Sequence, residues 1–435
     1  MFCNQCEQTY HGTGCVDKGV CGKDEDMQSL QEILLYGLKG MAAYAHHARR
    51  LGKVDEDVSA FVEEALFATV TNVNFDIPSL LELVLECGRK NLRVMEMLDE
   101  AHCERFGAPS PTTVFEGTKP GPGILVTGHD LLDLEDVLKQ TEGTGINVYT
   151  HGEMLPAHMY PELRKHEHLV GHFGSAWQNQ KKEFAKFSGA VLATTNCVLL
   201  PRESYQDRLF TTRATAVPGG RRLLSNDFSE LIDCAKKCDP LPDDPSTEST
   251  LGFHHSVLLG LSKEILATIQ AGKLSHVFLI GGCDGAEPGR NYFSDFASNA
   301  PSDSIVLTLG CGKYRIRNHD FGTIELEGAG PVPRLLDMGQ CNDAYGAIQV
   351  AVALSKALDC GVNDLPLTIV LSWFEQKAVA VLLTLLALDV KGIRIGPAAP
   401  AFVSPNVLKI LQDNYDLKLT GSDAMADLKA SLQAA

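Results

Sequence analysis

Four cysteines crowd the first twenty-one residues of this chain: Cys3, Cys6, Cys15 and Cys21, spaced C-x2-C-x8-C-x5-C. Gly12, Gly14, Gly19 and Gly22 interrupt the run, so the segment reads as a loop folded around something and not as a packed element. Four thiolates in so short a span suit one tetrahedral metal or one iron–sulfur cluster. A zinc ribbon sets two C-x-x-C pairs on separate knuckles, and the second pair here is spaced too widely for that. An open loop fits a cuboidal cluster better. A zinc ion and unliganded structural cysteines stand behind it, in that order. The first reading makes this a redox protein.

The rest of the composition narrows the setting. A chain of 435 residues with 44% hydrophobic content has room for about three domains. Polar residues and cysteines at positions 3 to 11 argue against an export signal. The longest apolar run, Ala378 to Leu388, is too short to cross a bilayer. Thirteen cysteines without an export signal point to a reducing cytoplasm, where thiolates bind metals or react. A net charge of −17 with no basic stripe argues against nucleic acid as a partner.

The hydrophobic pattern divides the chain in three. Ser29 to Ala42, Val58 to Thr71 and Ile77 to Leu98 repeat apolar residues at helical spacing. They predict a three-helix bundle carrying the cysteine loop, over residues 1–110. Gly107 to Pro122 reads as a linker. Beyond it, short apolar strands alternate with helices, which indicates parallel sheets covered on both faces. Strands are expected at Gly123–Thr127, Ile146–Tyr149, Ala190–Thr194, Val277–Ile280, Ile305–Leu309 and Leu367–Ser372. The polar, Pro-rich stretch Lys237 to Thr250 reads as the boundary between two Rossmann-like α/β domains, over 120–250 and 251–435.

Each strand is followed by a metal-ligating residue. The first runs into Gly128-His129-Asp130, the second into Thr150-His151-Gly152-Glu153, and the third into Thr195-Asn196-Cys197. The fourth leads to Gly282-Cys283-Asp284-Gly285, the fifth to Cys311-Gly312-Lys313, and the sixth to Glu375-Gln376-Lys377. Open α/β sheets build their sites at the carboxyl ends of strands. Two facing sheets therefore bring these residues to one buried centre, which Cys341 joins from a loop before a helix. One His, two Glu and four Cys exceed what a single ion needs; thiolates would hold iron–sulfur and the N and O donors harder, less saturated irons. Taken singly the residues are bland: Asp130 is a natural helix cap, Glu153 and Glu375 are ordinary first-turn acids, and buried cysteines are common. Shared topological position is what sets them apart. Cys87, Cys103, Cys234, Cys238 and Cys360 lack it and read as packing residues.

These motifs resemble the hybrid-cluster proteins, also called prismane proteins or hydroxylamine reductases, which are related in fold to the carbon monoxide dehydrogenases. The resemblance covers nearly the whole chain. It includes Met1-Phe2-Cys3-Asn4-Gln5-Cys6, Thr150-His151-Gly152-Glu153-Met154-Leu155-Pro156-Ala157-His158, Gly281-Gly282-Cys283-Asp284-Gly285, Gly339-Gln340-Cys341-Asn342-Asp343 and Ser372-Trp373-Phe374-Glu375-Gln376-Lys377. It implies a 4Fe–4S cluster on Cys3, Cys6, Cys15 and Cys21. It also implies a hybrid 4Fe–2S–2O cluster on His129, Glu153, Cys197, Cys283, Cys311, Cys341 and Glu375, with Cys283 a persulfide in the oxidised form. Only 107 residues separate Cys21 from His129, where longer members hold a second helical bundle, so the chain resembles a short class.

The implied activity is a cytoplasmic reductase of hydroxylamine, and of nitric oxide to nitrous oxide, fed by an external electron donor protein. Glu375 and Lys377 are the candidate proton suppliers, with His151 and His158 behind the ligands. Apolar surface left by the shorter helical region predicts a homodimer. A non-enzymatic redox or nitric oxide sensor would use the same clusters without turnover. A nickel enzyme of the carbon monoxide dehydrogenase type would need a more cysteine-rich ligand set.

Overall fold

Capping chemistry starts all three amino-terminal helices where polar residues meet apolar periodicity. A computed structural model describes residues 1–434. In it Asp24 opens α1 (Glu25–Arg50) by accepting from the Asp26 and Met27 amides. Asp55 does the same for α2 (Glu56–Ala68) and Asp76 for α3 (Ile77–Phe106). The bundle is not closed by these three alone. The helix Gln376–Ala387, from the far end of the chain, packs between α1 and α3. Glycines permit the close approach: a Cβ on Gly88 would stand 2.1 Å from the Leu383 carbonyl oxygen, and one on Gly40 would stand 2.4 Å from that of Gln376. One hydrophobic core therefore runs from Leu34, Met41 and Met95 in the bundle to Leu382 and Ile369 in the carboxyl-terminal region.

The remainder is α/β, as the alternating pattern predicts. Eight strands form the first sheet: β1 (Thr112–Thr118), β2 (Gly123–Thr127), β3 (Asn147–His151), β4 (Leu169–His172), β5 (Ala190–Ala193), β6 (Leu209–Thr212), β7 (Arg221–Leu223) and β8 (Asp244–Leu251). Their order is β7-β6-β5-β2-β3-β4-β1-β8, parallel except for β8. Next come β9 (His276–Gly282), β10 (Ser304–Thr308), a separate hairpin of β11 (Thr323–Leu326) and β12 (Gly330–Pro333), then β13 (Leu335–Asp337), β14 (Leu367–Ser372), β15 (Arg394–Gly396) and β16 (Lys418–Leu419). The second sheet runs β13-β10-β9-β14-β15-β16 and is parallel throughout. All six expected strands are present.

Two segments differ from the sequence reading. The expected linker 107–122 contains β1, and the expected boundary 237–250 contains most of β8. The two pair antiparallel along their length, from Thr112 opposite Leu251 to Thr118 opposite Asp244. An edge strand needs backbone partners more than apolar side chains, so β8 leaves little trace in hydropathy. After the helix Ala344–Ala357 the left-handed residue is Asp359, at φ 53°, while Gly361 is extended at φ −72°. Among the described residues no helix is long and apolar enough to cross a membrane.

Candidate metal centre

Strand order explains why the seven expected ligands meet. The first sheet grows from β2 through β3 to β4, then crosses to β5 on the other side of β2. The second grows from β9 through β10 to β13, then crosses to β14. Such reversals open a crevice at the carboxyl ends of adjacent strands. His129, Glu153 and Cys197 follow β2, β3 and β5 at the first crevice. Cys283, Cys311, Cys341 and Glu375 follow β9, β10, β13 and β14 at the second. All seven line one cavity. The loops of the second sheet are stacked backbone on backbone, which glycine makes possible. Gly282 (φ 100°) and Gly310 (φ 71°) lie in the left-handed region, and a Cβ on either would stand within 2.5 Å of a neighbouring carbonyl oxygen.

The donor set fits a polynuclear iron group. His129 Nδ1 lies 2.9 Å from the Asn196 carbonyl oxygen, which only accepts, so Nδ1 carries the proton. Nε2 is then a bare lone pair, and it accepts a hydrogen bond from Lys377 Nζ at 2.9 Å. Burial holds the imidazole well below its usual pKa and therefore neutral. His129, Glu153 and Cys341 offer ligand atoms that all lie within 4.8 Å of one another. Glu153 Oε2 accepts from the Cys341 amide at 3.0 Å, while Oε1 is buried with no hydrogen-bond partner among the described residues. An orphaned buried carboxylate oxygen is costly unless a cation faces it. Burial pushes the Cys197 and Cys341 thiols up to about 12, and Cys283 and Cys311 well above the usual range. Such thiols surrender their protons to a metal and to little else.

At the amino terminus, Cys3 and Cys15 face each other across a two-bond antiparallel bridge, N–H to carbonyl at 3.0 and 2.8 Å. Cys3 and Cys15 are buried, Cys6 is half-buried and Cys21 is exposed. Backbone contacts from Tyr10 and Val20 hold the Cys15 thiol below its ordinary range. The cysteine loop lies apart from the seven-residue cavity, and none of its residues lines it.

Several residues around the centre carry no local sequence signal. Gln340 Nε2 donates to the carbonyls of Glu153 (2.7 Å) and His129 (3.2 Å), tying the two crevices together. Trp177 lines the cavity, donates through Nε1 to the Asp284 carbonyl at 2.8 Å and stacks on Phe374. Tyr44, fully buried on α1, brings its hydroxyl beside the Cys341 thiol. Lys377, which alone reads as a solvated helix-face lysine, is 3% exposed and also donates to Asn196 Oδ1 at 3.1 Å. His151 and His158 stand further back. His151 bridges Thr127 Oγ1 and Glu183, and His158 pairs with Thr150. Asp130 caps the helix Leu131–Thr141 and binds Arg50 of α1.

A second, apolar cavity shares Gly282, Cys283 and Cys341 with the first. It extends between β9, β14 and the helices Ala344–Ala357 and Gln376–Ala387 as far as Leu358 and Leu388.

Two switch-point crevices closing on one buried His, Glu and Cys donor set, under a helical cap with a cysteine loop, define a two-sheet α/β metalloprotein. The chain belongs to the Prismane/CO dehydrogenase family, which it matches over residues 1–82 and 76–428. It is 61% identical over 418 residues to a hydroxylamine reductase of Moorella thermoacetica, covering 96% of this chain and 97% of that protein. A hydroxylamine reductase of Methanothermobacter thermautotrophicus is 48% identical, covering 99% and 100%. Against that of Geobacter metallireducens, 53% identical, the match covers 94% of this chain but 73% of the relative. Among solved structures, carbon monoxide dehydrogenase IV from Carboxydothermus hydrogenoformans superposes with a TM-score of 0.78 at 15% identity, over 99% and 92% of the two chains. That likeness is one of fold.

Proposed function

We propose that this protein is an iron–sulfur oxidoreductase that reduces hydroxylamine: NH2OH + 2 e− + 2 H+ → NH3 + H2O. Relatives matched end to end under that name support the reading. The observation that carries it is the convergence of His129, Glu153, Cys197, Cys283, Cys311, Cys341 and Glu375 on one cavity. Those seven residues would hold a hybrid 4Fe–2S–2O cluster, with Cys283 as a persulfide when oxidised, and the cluster would supply electrons and an open iron to the N–O group. Cys3, Cys6, Cys15 and Cys21 would hold a 4Fe–4S cluster that takes electrons from an external donor protein at the exposed Cys21 edge.

The chain's own residues supply the protons and the shelter. Lys377 is buried, which opposes its charge, but the surrounding Cys341, Glu375 and Cys197 outweigh that and raise its pKa. It therefore stays an ammonium, 3.9 Å from Glu375 Oε1, and can give a proton to the departing oxygen while Glu375 takes up the next one. The apolar cavity at Cys283 and Cys341 admits small uncharged molecules and repels ions, which also favours nitric oxide, reduced to nitrous oxide, as a second substrate. We place the reaction in a reducing cytoplasm, with no nucleic acid or membrane partner.

Anaerobic protein with reduced viologen as donor should form one ammonia per hydroxylamine over many turnovers. Lys377→Met should slow this with iron content unchanged. A single turnover and then silence would instead fit a redox or nitric oxide sensor. Nickel alongside iron on elemental analysis would favour a carbon monoxide dehydrogenase type of enzyme.

A further inference from the structure

Lys23 follows the last cysteine of the amino-terminal loop by two residues, and its side chain turns inward. It is 1% exposed, an unusual place for an ammonium. Its Nζ donates to Gln31 Oε1 at 2.6 Å, to Gln28 Oε1 at 3.1 Å, and to Cys3 Sγ at 4.0 Å. All three N–H donors thus have acceptors, yet none of the three is a carboxylate. The two amides are themselves anchored. Gln28 Nε2 donates to Glu32 at 2.8 Å and Gln31 Nε2 to the Asn74 carbonyl at 3.4 Å, so both amide oxygens are aimed at the lysine. A buried charge of this kind is costly unless an opposite charge faces it. Four cysteine thiolates around an iron–sulfur group are the anion that the site offers.

We propose that Lys23 is the charge partner of the amino-terminal cluster and sets its reduction potential. This rests on the assignment of that cluster to Cys3, Cys6, Cys15 and Cys21. Reduction adds a negative charge beside the ammonium, so Lys23 stabilises the reduced form and raises the potential. Hydrogen bonds to sulfur and local charge are among the levers that tune such clusters. Gln28 and Gln31 are the positioning residues: they hold Nζ against Cys3 and, being neutral, leave its charge for the cluster. Functionally, the cluster nearer the surface is made easier to reduce by a donor.

The test is an anaerobic redox titration of the full-length, cluster-loaded protein, followed by electron paramagnetic resonance with iron analysis. Wild type, Lys23→Met, Lys23→Gln and Lys23→Arg are compared. The amino-terminal signal should shift to lower potential in the Met and Gln variants and stay near the wild-type value in Arg, at equal iron. Loss of that signal in Met and Gln with retention in Arg also supports the proposal, because the charge is then needed to hold the cluster at all. An unchanged potential at full iron in Met and Gln overturns it. So does loss of the signal in all three, which would make Lys23 a packing residue. Wild-type protein lacking any amino-terminal cluster signal would instead overturn the cluster assignment.

Discussion

At the scale of single residues, two cysteines set a proposed ligand against a packing residue. Cys283 follows β9 into a glycine-lined turn, its amide bonded to the Ser372 carbonyl at 2.8 Å and its thiol in the cavity. Cys360 is half-buried after the helix Ala344–Ala357, where its amide bonds Ser355 at 3.1 Å. Cys283→Ala should abolish hydroxylamine reduction and distort the hybrid-cluster spectrum while the amino-terminal cluster survives. Cys360→Ala should keep both clusters and turnover, at a cost of about 1 kcal/mol or less in stability. Equal behaviour of the two would mean that position after a strand carries no functional information. Six of the seven proposed ligands are readable because each follows an apolar strand visible in the sequence. Gln340, Trp177 and Tyr44 are not, because their roles depend on partners at least 187, 107 and 297 positions away. Lys377 is a candidate proton supplier from the sequence, yet its burial is not legible there: helical spacing says which face it takes, and only the loops after β2 and β5, which bring His129 and Asn196 to its Nζ, make that face an interior one.

At the scale of elements, the glycines of the helix crossing make the sharpest claim. Gly88→Ala ought to gain about 1 kcal/mol from helix propensity alone. Its Cβ, however, would stand 2.1 Å from the Leu383 carbonyl oxygen, and overpacking of that kind costs about 1–3 kcal/mol. Chemical denaturation should therefore show net destabilisation. Gly260, at the end of the helix His255–Gly260, has nothing within 4 Å of its Cβ position. There Ala should be neutral or stabilising by at most about 1 kcal/mol. Matching signs for the two variants would contradict the crossing. The parallel strands were legible in hydropathy because their residues are buried on both faces; β2, β5 and β10 are buried at every position. The β1–β8 pair was not, because its signal lies in backbone pairing at a sheet edge.

At the scale of the molecule, the chain matches some relatives along their whole length and others along 73% of it. Apolar side chains stand in solvent on the amino-terminal region. Phe2, Tyr10, Val16 and Val20 are each more than half exposed on the cysteine loop, and Phe67 in the last turn of α2 and Val70 just after it are exposed as well. Surfaces like these usually mark interfaces, so light scattering at micromolar concentration should report a two-fold homodimer. A clean monomer would contradict this expectation. The central claim is that one chain holds two separate iron centres, a cysteine-loop cluster and a buried mixed-ligand cluster that does the chemistry. Mössbauer spectroscopy of anaerobic, iron-57-enriched wild type and Cys6→Ser tests it most directly. Wild type should show two cluster types, and Cys6→Ser should lose the all-thiolate component while the mixed-ligand component keeps its full intensity. Loss of both components together, or a single all-thiolate component in wild type, would contradict the account.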